Sequence, residues 1–150
     1  MRKTLSAIVL LALVSPAFAA SKFAGTWKMN TEKSTGPAAP TASDLVAVDD
    51  GTDQLITVTG KAPDGSPTMT KFSVPIKGGK GKIVDAAPFT SVTSKPYTAT
   101  TEDFVFMIDD KPAMHIHSVL SSDGKTMKTT RKVMAGPMKP GAYTDIWEKQ

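Results

Sequence analysis

The two histidines of the chain, His115 and His117, stand two residues apart in Ala113-Met114-His115-Ile116-His117-Ser118. On a β-strand that spacing puts both imidazoles on one face, near enough to share a metal ion. A third ligand would be needed; Met107 or Met114 would suit copper, although Met114 alternates away from the histidines. The alternative is a pair of surface or partly buried histidines with ordinary hydrogen bonds, and a lone His-x-His separates the two readings poorly. The other chemically suggestive stretches are weaker. Lys77-Gly78-Gly79-Lys80-Gly81-Lys82 has neither the spacing of a phosphate loop nor its following Ser or Thr, so it reads as a hairpin turn with solvated lysines. The acid pairs Asp49-Asp50, Glu102-Asp103 and Asp109-Asp110 read as turn residues that bond their own backbone. No nucleophile motif, acid-base pair or metal set rises above background, so the sequence does not read as an enzyme and calls for no cofactor.

The elements that must position these residues have a period of two. Thr70, Phe72, Val74 and Ile76 fall on one face, and Met69, Lys71 and Ser73 on the other. Turn signals recur at short intervals, at Asp50-Gly51, Asp64-Gly65, Gly78-Gly79, Asp109-Asp110, Asp123-Gly124 and Gly136-Pro137. This rhythm predicts strands over 24–30, 43–49, 54–60, 68–76, 81–85, 89–94, 103–108, 113–121, 125–134 and 142–148, with a surface crossing over 31–42 and no sustained helix. Composition alone does not choose between a closed barrel and a sandwich.

Ahead of the strands, Arg2 and Lys3 precede an apolar run from Leu5 to Val14, then Pro16 and Ala17-Phe18-Ala19. That is the pattern of a secretory signal peptide, residues 1–19, cut after Ala19 or, as the alternative, after Ala20. It predicts a periplasmic or secreted domain over 20–150, without stable membrane insertion once the leader is removed, since no later stretch is apolar enough to span a bilayer. The chain has no cysteine, which excludes disulfides and thiol chemistry. Of the formal net charge of +4, Arg2 and Lys3 supply two, so the domain itself carries +2. With no lysine run interleaved with aromatics, nothing points to a nucleic-acid partner.

Phe23-Ala24-Gly25-Thr26-Trp27-Lys28-Met29-Asn30, the later Ser122-Asp123-Gly124-Lys125-Thr126-Met127 and the closing Ile146-Trp147-Glu148-Lys149-Gln150 resemble the first and last strands of secreted bacterial lipocalin-like proteins. The opening is more distantly similar to the Gly-x-Trp start of lipocalins and fatty-acid-binding proteins. The resemblance implies an all-β antiparallel barrel of about eight to ten strands. In it, the first-strand tryptophan closes the base beneath a basic side chain from a late strand. Trp27 is then the plug, with Gly25 leaving room for a neighbouring backbone. Arg131, the only arginine after the leader, is the candidate cover, in phase with Met127, Thr129 and Val133; an Arg131 on the solvated face beside Lys132 is the open alternative.

The resemblance also implies binding, here of a small apolar or amphipathic ligand. The inward candidates are Phe72, Val74, Phe104, Phe106 and Ile108. His115 and His117 join them if the turn before their strand has an even number of residues, as Asp109-Asp110 suggests; an odd turn sets them beside Val105 and Met107. A fold does not establish a function. The rival expectation is a structural or protein-interaction domain of the cell envelope, with the barrel filled by its own side chains.

Overall fold

The computed structural model describes residues 20–62 and 64–150; the leader reading falls on 1–19 and lies outside them. The described chain is all-β. It forms β1 (Gly25–Met29), β2 (Ser43–Asp49), β3 (Asp53–Lys61), β4 (Pro67–Pro75), β5 (Gly79–Lys80), β6 (Lys82–Asp85), β7 (Ser91–Ser94), β8 (Thr101–Ile108), β9 (Lys111–Leu120), β10 (Thr126–Val133) and β11 (Gly141–Lys149). All pair antiparallel in one sheet, in the order β5-β7-β8-β9-β10-β11-β1-β2-β3-β4-β6. First and last long strands meet, with Met29 opposite Trp147, and the sheet curls into a nearly closed barrel of the lipocalin-like and fatty-acid-binding-protein-like kind. Ten of the eleven strands follow the alternation of the sequence; the two-residue β5 is an addition.

The seam is closed by the glycine-rich stretch that follows β4. The chain from Gly79 to Asp85 starts hydrogen-bonded to β7 and ends hydrogen-bonded to β4. At the crossing, Gly81 N–H donates to the Val92 carbonyl at 2.8 Å, and Ser94 Oγ donates to the Pro75 carbonyl at 2.8 Å. A Cβ on Gly81 would collide with the Ser73 carbonyl oxygen and stand 2.8 Å from Val74 Cγ1, so only glycine lets the backbone pass so close. Lys77, Lys80 and Lys82 are exposed, as a solvated hairpin requires.

Trp27 plugs one end of the barrel. It is fully buried, its indole N–H donates to the Phe23 carbonyl at 3.0 Å, and Phe23 packs edge-to-face on Tyr97 at 5.7 Å. Its basic cover is Lys149, with Nζ 5.1 Å from the ring centroid, and not Arg131. The register explains the correction. Trp27 and Lys149 are cross-strand partners, whereas Arg131 is opposite Tyr143, one strand further on and three inward-facing steps nearer the other end. Gly25 makes room for Lys149, whose Cε would lie 2.9 Å from an added Cβ, so a side chain and not a backbone uses the space.

The middle of the barrel holds an aromatic cluster. Phe72 meets Phe106 and Phe104 edge-on at 4.8 and 5.6 Å, and Phe89 meets Phe106 at 5.0 Å. Each such pair contributes about 0.5–1.5 kcal/mol beyond its buried area.

Candidate functional site

Alternation along β8 to β11, combined with their registers, stacks inward side chains in rows across the wall. Nearest the plug, Leu120, Met127 and Trp147 form an apolar row that continues to Met29 on β1. The next row is Glu102, Ser118, Thr129 and Asp145, one residue from each of four adjacent strands, all buried. Above it stand Phe104, Ile116, Arg131 and Tyr143, then Phe106, Met114 and Val133. A polar belt is thus held between apolar layers. Such groups stay inside only where they bond one another or an occupant.

Most of the belt is internally bonded. Ser118 and Thr129 hydroxyls lie 3.0 Å apart. Arg131 forks onto Asp145: Nε donates to Oδ2, and Nη2 donates to Oδ1 at 2.8 Å. Its Nη1 donates to Met138 Sδ at 3.3 Å, and the guanidinium carbon sits 4.9 Å from the Tyr143 ring centroid. Arg131 therefore faces inward, as its phase with Met127 and Val133 implies, but its partners are Asp145 and Tyr143. Across the barrel, the Tyr97 phenol donates to Gln54 Oε1 at 3.0 Å. Glu102 is 5% exposed, and burial pushes its carboxyl up to about 8, opposed by hydrogen bonding with Ser118 and Tyr97. The acid is therefore mostly protonated at neutral pH. Burial, with the nearby Glu102 and Asp49, likewise raises the Tyr97 phenol, which stays neutral. Among the described residues, three buried side-chain polar atoms have no partner: Glu102 Oε2, Gln54 Nε2 and Trp147 Nε1.

Apart from Tyr97, these side chains line a cavity of about 680 Å³, a size typical of small-molecule sites. Its apolar wall includes Leu45, Ala47, Ile56, Phe72, Phe104 and Phe106. Its mouth lies opposite Trp27, where the 31–42 crossing, the end of β3, the β6–β7 loop and the β10–β11 loop contribute Ala38 to Thr41, Lys61, Phe89 and Pro137 to Lys139.

The sequence candidates divide accordingly. Phe72, Phe104 and Phe106 line the cavity. Val74 is fully buried in the packing of the wall but does not reach the cavity, and Ile108 is half-buried and also outside the lining. His115 and His117 are exposed on the outer face, opposite Val105 and Asp103. This corrects their expected place beside the phenylalanines. The Asp109-Asp110 turn does have two residues, each at positive φ (48° and 62°). The parity is reversed just after it. Met107 faces Pro112 but Phe106 faces Met114, so Ala113 is an extra residue and every later side chain of β9 changes face. His117 Nδ1 lies 3.0 Å from Asp103 Oδ1. Among the described residues no three His, Cys, Asp or Glu side chains are grouped to hold a metal ion.

Glu102 is also a correction to the turn reading, since β8 begins at Thr101 and puts the acid on a strand. Asp49 and Asp50 do bond turn backbone, accepting from Gly51 N–H at 2.7 Å and from Asp53 N–H at 2.7 Å. In sequence comparison, no protein-family model and no curated protein matches the chain. The barrel and its interior define the class: a small antiparallel β-barrel with a ligand-sized cavity.

Proposed function

We propose that this is an exported lipocalin-like binding module that holds a small amphipathic molecule in its barrel. The observation that carries the reading is the 680 Å³ interior, apolar toward the mouth and crossed by a buried polar belt. A barrel with a purely structural role is expected to be filled by its own side chains. This one keeps room for an occupant, and it buries polar atoms that have no protein partner. The plugged base and loop-rimmed mouth favour entry from one end, with the polar part of the ligand leading toward the belt. The leader pattern of residues 1–19 and the Gly25-Thr26-Trp27-Lys28 opening support export and the lipocalin-like assignment.

Native mass spectrometry of the protein purified from the envelope fraction of its own cells tests both parts. The expected result is a chain beginning at Ala20 that carries a retained small molecule, released when the barrel unfolds. A chain that keeps its leader argues against export. A mass that never exceeds the bare polypeptide, even after incubation with a cell lipid extract, argues against binding.

A further inference from the structure

We propose that the cavity selects amphiphiles with an uncharged oxygen head, such as an alcohol or an amide on an apolar body, over carboxylates of the same chain length. The proposal rests on the reading of the barrel as a binding cavity and adds the chemistry of the ligand's polar end. A carboxylate buried in the barrel needs a cation that is not already engaged. Arg131 is the arginine of the cavity wall, and its fork is spent on the two oxygens of Asp145, a side chain only 4% exposed. Its remaining Nη1 is turned to Met138 Sδ. The pair is neutral as a unit, and an anionic head would meet the Asp145 carboxylate beside it.

The basic groups that otherwise line the cavity, Lys61 and Lys139, stand exposed at the mouth and would draw a carboxylate there, away from the belt.

The unpartnered atoms state the complementary requirement. Gln54 Nε2 and Trp147 Nε1 are donors without acceptors, and Glu102 Oε2 is a carboxyl oxygen without a partner. Gln54 and Glu102 are joined through the Tyr97 phenol, so their free atoms belong to one polar cluster. A hydroxyl or amide oxygen can accept from Gln54 Nε2, and its own hydrogen can go to the carboxyl. An ammonium has no lone pair for Gln54 or Trp147, which argues against a cationic head as well. An uncharged head also avoids the desolvation of an isolated buried ion.

The test is displacement of the neutral dye N-phenyl-1-naphthylamine from the unmodified mature protein by dodecan-1-ol, dodecanamide, dodecanoate and dodecylammonium. The alcohol and amide are expected to compete at concentrations about tenfold or more below those of the two ions. Equal or greater potency of dodecanoate or dodecylammonium overturns the inference while leaving the barrel reading intact. Failure of the dye to bind, or of all four compounds to displace it, removes the barrel reading and this inference with it. Gln54→Leu should shrink the alcohol-over-carboxylate ratio toward one. An unchanged ratio contradicts a head group seated at Gln54.

Discussion

Glu102→Gln separates the charge of the buried carboxyl from its shape. In the folded chain the acid releases its proton near pH 8, against 4.5 for an ordinary glutamate. Between those values the native protein holds a proton that the unfolded chain has lost, so stability falls as pH rises through this window. The contribution is fully present below about 4.5 and gone above about 8. At about 1.4 kcal/mol for each pH unit, the cost at pH 9 is at most about 5 kcal/mol. Glutamine keeps the shape of the side chain without ever ionising, so the variant escapes that cost.

Urea unfolding of both proteins at pH 5, 7 and 9, followed by fluorescence of the buried Trp27 and Trp147, reads the difference directly. The expected result is nearly equal stability at pH 5 and an advantage for Glu102→Gln that grows to about 2–5 kcal/mol at pH 9. Asp50, Asp64, Asp123 and Glu148 are held below the usual carboxylate range by hydrogen bonds from backbone or side-chain donors. They titrate below this window and equally in both chains. Parallel stability curves from pH 5 to 9 would refute the reasoning, because they would mean that Glu102 ionises as easily inside the barrel as in water.

Three further outcomes follow from the packing. Trp27→Ala should cost about 3–5 kcal/mol in chemical denaturation, since it removes the fully buried plug and its bond to Phe23. Asp145→Ala should cost about 3–5 kcal/mol by the same measurement, because it strands the Arg131 guanidinium inside the wall, and Arg131→Met in the same chain should recover much of the loss. Gly81→Ala should open the seam, seen as faster amide hydrogen exchange at Gly79 to Val84 and at Ser94, with the far wall of β10 and β11 unchanged.

The fold was legible because alternation and turn chemistry agree along most of the chain, as they do from Thr70 to Val74 and around Asp109-Asp110. Trp27 as plug was equally readable. The site was legible only in part. Glu102 shares the phase of Phe104 and Phe106, so period two alone places it inside. It was missed because an acid pair ahead of a strand suggests a turn, and β8 starts at Thr101, three residues before its apolar run. Asp145 is likewise in phase with Tyr143 and Trp147, but its pairing with Arg131 depends on a register that one sequence does not specify. The histidines went to the wrong face for a more local reason. The bulge at Ala113 has no signature of its own beyond Pro112, which cannot donate a ladder hydrogen bond and marks a place where pairing slips. The crossing at Gly81 needs both of its flanking strands in place before its lack of a side chain acquires meaning.

Methyl chemical shifts during titration with dodecan-1-ol report whether an amphiphile occupies the inside of this barrel. Saturable shifts are expected at Ile56, Ile116, Met127 and Met138, which line the cavity, with the exposed Val46, Val48 and Val84 unmoved. Shifts confined to those exposed valines, or no saturable shift at all, would contradict the account.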